Sequence, residues 1–200
     1  MKAINQNQIT NFNRSPSDLL LFLLWTTTVA GKRSDVQTAK FNRLFKNRDL
    51  TTLDLHGNAL RKIMKTVGLG QYDRLSKCWK SIRNTFKNGG QLYTINRNEL
   101  TNIPGIGPKT ASFFIAHSRE YAEVAVLDTH VLKWLKLEWP NAEIPDTTPQ
   151  DENYYQDLEA LFLGRSCQLD MSPSELDTAI WQAYANNKPE QAPRYHNYHA

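Results

Sequence analysis

Lys109 and Asp128 are the residues of this 200-residue chain whose types and spacing could carry out chemistry together. The lysine stands in Ile103-Pro104-Gly105-Ile106-Gly107-Pro108-Lys109-Thr110-Ala111, and the aspartate follows 19 residues later. Glycine and proline in this pattern predict a tight turn opening straight into a helix, with Lys109 in its first turn. A helix start leaves backbone N–H groups without intrahelical partners, and those suit a phosphate. A lysine nucleophile must be neutral. The partial positive charge of a helix N-terminus disfavours a second cation, which pushes in the needed direction. Beside a bound nucleic-acid backbone, such a lysine could attack a sugar carbon. Asp128 is the carboxylate that could stand nearby. Followed by Thr129, it also reads as a helix N-cap, and a capping aspartate is held rigidly.

The elements that must position these groups are helical. Leu100-x-x-Ile103-x-Gly105-Ile106-Gly107-x-x-x-Ala111 has the parts of a helix-hairpin-helix. The two glycines are expected to permit unusual backbone angles and close approach of DNA, Ile103 and Ile106 to anchor the turn, and Ala111 to allow close helix packing. Such a hairpin grips backbone without reading sequence, through Gly105, Ile106, Gly107 and Thr110. Elsewhere the apolar period is helical, with nine or ten helices and no convincing strand pair. Ser15-Pro16-Ser17-Asp18 opens a largely apolar helix to Thr28, and Ser34-Asp35 opens a second with Val36, Ala39, Phe41, Leu44 and Phe45 as its stripe. A third is expected over Leu55 to Val67. Asp73 is expected to cap a fourth, Arg74 to Asn88, after the loop Gly68-Leu69-Gly70-Gln71-Tyr72-Asp73. Short helices flank the hairpin over Asn96–Asn102 and Pro108–Ser118. Asp128 starts another to Trp139, and two more span Gln150–Gly164 and Ser172–Asn186.

Composition narrows the partner. Residues 1–100 carry 17 Lys+Arg against 6 Asp+Glu, whereas residues 101–200 carry 7 against 14. A chain polarised in this way presents a basic face and points to a polyanion. Two cysteines, Cys78 and Cys167, lie far apart in sequence with no CxxC pattern, which argues against disulfide frameworks, zinc fingers and iron–sulfur clusters. The longest apolar run, Leu19 to Trp25, is too short to span a membrane, and no signal peptide is visible. A cytoplasmic, nucleoid-associated protein without a membrane partner is expected.

From about Asp18 to Leu135 the chain resembles the helix-hairpin-helix DNA glycosylase/AP lyase superfamily, which includes endonuclease III and the 8-oxoguanine DNA glycosylases. The resemblance rests on the hairpin Ile103 to Ala111, on Val126-Leu127-Asp128-Thr129-His130, and on Lys65-Thr66-Val67-Gly68-Leu69 with Lys77. It implies that Lys109 attacks C1′ of a damaged nucleoside, and that the resulting Schiff base permits β-elimination of the 3′ phosphate. It implies Asp128 as the second catalytic residue, with no role assigned to His130. It places an intercalating wedge at Gln71 or Tyr72, filling the gap that a flipped nucleotide leaves. Near Ala30-Gly31-Lys32, where relatives carry a second polar wedge, this chain lacks the Gln or Asn. Trp25, Trp181 and Tyr184 are the candidate base-pocket aromatics. The four cysteines that bind the iron–sulfur cluster in endonuclease III are missing, so the resemblance is to the cluster-free branch. A structural Na+ or K+ on hairpin carbonyls near Ile103 and Ile106 is also implied, and no other cofactor.

The resulting expectation is an all-α, two-lobed glycosylase fold with a DNA cleft between the lobes. One lobe would span 30–125 and contain the hairpin motif at 97–118. The other would join 1–29 to 126–187, and 188–200 would form a loose tail. The expected protein is a monomer that acts on double-stranded DNA containing a damaged or modified base. The 19-residue separation of lysine and aspartate resembles the 8-oxoguanine enzymes more than endonuclease III, and that resemblance implies an 8-oxoguanine-like base. Two alternatives stay open: a monofunctional glycosylase in which Asp128 activates water, and a helix-hairpin-helix protein that binds DNA without chemistry.

Overall fold

In a computed structural model that describes residues 3–55, 58–87 and 89–195, the described residues form nine α-helices and no strand. The chain divides into two compact units, Met1–Arg119 and Glu120–Ala200.

The first unit holds α1 (Pro16–Val29), α2 (Ser34–Phe45), α3 (Ala59–Val67), α4 (Tyr72–Thr85), α5 (Arg97–Thr101) and α6 (Pro108–Ala116). Its starts are local sequence events. Ser15 accepts from the Asp18 amide with Pro16 at the first helical position, and Asn96 with Glu99 forms a reciprocal capping box. Helix α1 is buried from Leu19 to Thr28 and packs on α2, α4 and α6. A helix apolar all round must be enclosed by its neighbours. It therefore belongs to the first unit, whereas residues 1–29 were expected with 126–187. Trp79 stands edge-on to Phe41, with centroids 5.8 Å apart, and donates its indole N–H to Thr27 at 3.0 Å.

Some boundaries differ from the sequence expectation. Leu50–Asp54 is a separate 3-10 turn, and α3 begins only at Ala59; His56 and Gly57 of the expected third helix lie outside the described residues. Helix α4 starts at Tyr72 and ends at Thr85, and the expected last residue, Asn88, is likewise outside them. On α2 the buried face is Gln37, Thr38, Phe41, Leu44 and Phe45, leaving Val36 exposed. Thr38 takes an apolar position there because it accepts the Trp25 N–H at 3.0 Å, whereas the Gln37 Oε1 is shielded from solvent with no hydrogen-bond partner among the described residues.

The second unit holds α7 (Thr129–Glu138), α8 (Glu152–Gln168) and α9 (Pro173–Ala185) around Leu127, Val131, Trp134, Tyr155, Phe162, Leu176 and Ile180. The tail is not loose as far as Tyr195. Pro189–Gln191 forms a 3-10 turn, Ala192 is buried, and the Trp134 indole N–H donates to the Pro193 carbonyl at 2.7 Å. The Arg165 guanidinium lies 4.5 Å from the Trp139 ring centroid and 5.0 Å from that of Tyr195. A buried indole N–H needs an acceptor, and the tail supplies it. The last expected tail residues, 196–200, lie outside the described residues.

Candidate active site

Lys109 is set by the end of the hairpin. Gly107 is the N-cap of α6, Pro108 its first residue, and no side chain caps the helix. The first helical bond runs from the Ala111 amide to the Gly107 carbonyl at 3.0 Å, so the Lys109 and Thr110 amides have no carbonyl acceptor there. Lys109 is half-buried, and its ammonium has no hydrogen-bond or ion-pair partner among the described residues. A cation left uncommitted beside open amides is an arrangement that can receive an anion.

The hairpin residues divide by role. Ile103 and Ile106 are both buried and anchor the turn, as their spacing predicts. The Ile106 amide, however, is spent on the Ile103 carbonyl at 3.0 Å, so that amide cannot serve a phosphate. Gly105 has φ +92°, and a Cβ there would stand 3.2 Å from Cys78 Cβ. Only glycine fits. Gly107 has ordinary extended angles, φ −98° and ψ 174°, and a Cβ there would meet nothing within 4 Å. Its glycine thus answers no need of the turn and leaves the helix entrance bare. The Thr110 side chain is buried, so its part in any backbone contact falls to its amide.

Arg74, which no local pattern singles out, ties the hairpin to the loop that precedes α4. Its guanidinium donates to the Gly105 carbonyl at 3.3 Å, the Thr27 carbonyl at 3.0 Å and the Gln71 side-chain oxygen at 2.7 Å. Gln71 is exposed and holds φ +49°, a left-handed conformation that is uncommon outside glycine, at the N-cap of α4. Asp73, expected as that cap, instead lies in the first turn and pairs with Arg61 at 2.8 Å. Tyr72 is half-buried, with the Lys65 ammonium 5.9 Å from its ring centroid.

Asp128 belongs to the second unit. Its Oδ1 accepts from the His130 and Val131 amides at 2.8 and 3.0 Å, the N-cap that its sequence position predicts. The extended segment before it is pinned from both sides. Glu159 accepts the Ala125 amide at 2.7 Å, the Tyr155 hydroxyl donates to the Ala125 carbonyl at 2.7 Å, and Thr148 donates to the Leu127 carbonyl at 2.7 Å. This half-buried carboxylate is therefore fixed in place with one oxygen committed.

His130 packs against Tyr184, with ring centroids 5.4 Å apart. Its Nδ1 is shielded from solvent and has no hydrogen-bond partner among the described residues. Burial raises the pKa of the Tyr184 hydroxyl, opposed by the Arg194 charge. Trp181, three residues before Tyr184 and also half-buried, shares its helix face. Trp25 stands apart from these two. It is 2% exposed in the first unit, stacks on Phe22 with centroids 5.6 Å apart, and has its N–H taken by Thr38. Its ring is spent in the core, which removes the reason for placing it in a base pocket.

Among the described residues no group of three or more His, Cys, Asp or Glu side chains is placed to hold a metal ion, and no helix is long and apolar enough to cross a membrane. No protein-family model matches the chain. Solved structures do. The 8-oxoguanine DNA glycosylase of Methanocaldococcus jannaschii matches at 21% identity and TM-score 0.72, over 90% of this chain and 84% of that one. The same organism's 8-oxoguanine glycosylase/lyase, in complex with a 15mer DNA containing 8-oxoguanine, matches at 23% identity and TM-score 0.73, over 90% and 88%. The 8-oxoguanine DNA glycosylase of Thermotoga maritima matches at 19% identity and TM-score 0.73, over 93% and 88%. The chain thus has the all-helical fold of the 8-oxoguanine DNA glycosylases, the fold that its hairpin and aspartate motifs resemble in sequence.

Proposed function

We propose that this protein is a DNA repair glycosylase with AP lyase activity, acting on an oxidised or modified base in double-stranded DNA, with an 8-oxoguanine-like base favoured. The observation that carries the reading is Lys109 itself: an uncommitted amine in the first turn of α6, beside the open amides of a glycine hairpin. The shared fold with 8-oxoguanine glycosylases supports it.

The chemistry balances without a redox partner. The neutral Lys109 Nζ gives its electron pair to C1′ and the glycosidic bond breaks, its electrons leaving with the base. Loss of the amine proton and opening of the sugar ring give a protonated imine between Nζ and C1′. Removal of a C2′ proton then expels the 3′ phosphate, which cleaves the strand, and water releases Lys109 by hydrolysis of the imine. Asp128 has the charge to stabilise the cationic sugar and to take the amine proton. The hairpin amides grip the phosphate, so binding itself brings the amine to the sugar. The Ile103 and Ile106 carbonyls are the donors an alkali-metal ion would use. Ile103 keeps a second lone pair beside the Ile106 amide, and an ion there would add positive charge for the phosphate.

Gln71 is the proposed wedge, since its left-handed backbone and its bond to Arg74 present an exposed side chain from a fixed loop. Tyr72 is the second candidate, and Trp181 and Tyr184 remain the candidates to stack on the extruded base. A panel of duplexes, each with one lesion, tests the proposal. Incision of the oxidised-purine duplex above the undamaged control is expected. Base release without strand cleavage, unaltered in Lys109→Gln, would instead favour water activated by Asp128.

A further inference from the structure

Two lysines converge on the loop between α3 and α4. The Lys32 ammonium donates to the Leu69 carbonyl at 2.8 Å and stands 3.7 Å from where Gly70 would carry a Cβ. The Lys40 ammonium, reaching from α2, stands 3.9 Å from the corresponding point on Gly68. Arg74 adds a third positive charge, held by its bond to Gln71 in the same loop. None of the three has an ion-pair partner among the described residues. The carboxylates of Asp73 and Asp35 are taken by Arg61 and Arg33.

Gathering like charges without a carboxylate opposes folding, so the arrangement calls for an anion that folding does not supply. Lys32 registers the strain, its pKa lowered first by burial and then by Arg74 and Lys40. The donors divide the work. Arg74 has committed its guanidinium to Gly105, Thr27 and Gln71, so it contributes charge rather than contact. Lys40 keeps all its N–H donors and Lys32 all but the one given to Leu69.

We propose that Lys32 and Lys40 form a second phosphate site on the first unit, at the loop 68–71, that takes a phosphodiester of the DNA backbone. The proposal rests on the glycosylase reading for its choice of polyanion. Arg74 supports that choice by fastening this loop to the hairpin at Gly105, so one scaffold carries two phosphate grips. Lysine ammoniums suit the task, being point charges that bind phosphate without reading sequence.

Duplex binding measured by fluorescence anisotropy across a salt series tests it. Each phosphate contact removed flattens the slope of log K against log salt by about 0.9. Lys32→Gln/Lys40→Gln is expected to flatten the slope by about one such contact and weaken binding several-fold at moderate salt. Lys40→Gln, which breaks no hydrogen bond, should give part of the effect at unchanged thermal stability. Lys136→Gln, in the second unit, removes one positive charge, as Lys40→Gln does, and should leave the slope as it is. A steep wild-type slope unchanged in the double variant would overturn the site while sparing the glycosylase reading. A flat wild-type slope would overturn both. Inorganic phosphate titrated alone is the remaining arm: saturable binding lost in the double variant, with an unaltered DNA slope, would assign the site to a free anion and overturn the proposal.

Discussion

The Arg74 guanidinium donates to the Gln71 side-chain oxygen at 2.7 Å while another of its nitrogens holds the Gly105 carbonyl at 3.3 Å. The proposed wedge and the proposed phosphate grip of the hairpin therefore share one guanidinium. Arg74→Lys keeps the charge but lacks the planar fork, so it cannot hold three acceptors at once. It is expected to slow incision of a paired lesion about tenfold, corresponding to about 1.4 kcal/mol. Cleavage of a preformed abasic site, where no base need be displaced, should be spared. Single-turnover kinetics on the two substrates separate the outcomes; equal losses on both would reduce Arg74 to general support of the fold.

The hairpin glycines should respond oppositely. Gly105→Ala places a methyl against Cys78 at a left-handed φ, so a loss of about 1–3 kcal/mol in urea unfolding is expected. Gly107→Ala fits its extended backbone and open space, and should leave stability within about 0.5 kcal/mol. If the Gly107 surface is where DNA approaches, the same variant weakens duplex binding. Unaltered binding would move the grip elsewhere.

Helices α1, α5, α7 and α9 were legible because their starts are local: Ser15, Asn96, Asp128 and Ser172 each cap an amide two or three residues ahead. The buried hairpin isoleucines were legible for the same reason. Arg74 was not, because its acceptors Thr27 and Gly105 lie 47 and 31 residues away and no local pattern announces them. The tail was misread similarly. Its sequence lacks periodicity, yet Trp134, fixed by a distant helix, needs the Pro193 carbonyl. Thr38 was not legible as a buried position on α2, because what holds it there is the Trp25 N–H from α1, a partner that hydropathy alone does not announce.

Asp128 caps a helix and is proposed to act on the sugar, and two substitutions separate these roles. Asp128→Asn keeps a capping oxygen, so stability should hold while base excision falls by about 10²-fold or more. Asp128→Ala should lose both activity and about 1 kcal/mol of stability. Full activity in the asparagine variant would confine Asp128 to capping.

The two thiols should differ sharply. Cys167 is exposed, while burial pushes the Cys78 thiol up to about 11, with Arg74 and a bond involving Thr27 opposing. Thiolate is the reactive form, so a thiol reagent at neutral pH should label Cys167 quickly and Cys78 only on unfolding. Because the folded value lies above the ordinary 9.0, the Cys78 contribution to stability is present below about pH 9 and is lost as pH rises towards 11. Denaturant titrations of wild type and Cys78→Ser across that range check the sign.

Borohydride trapping on duplex DNA with a single abasic site tests the Lys109 claim most directly. A covalent protein–DNA adduct with the wild type, mapping to Lys109, is expected, and none with Lys109→Gln, which should still bind the duplex. No adduct with the wild type, or an undiminished adduct with Lys109→Gln, would contradict it.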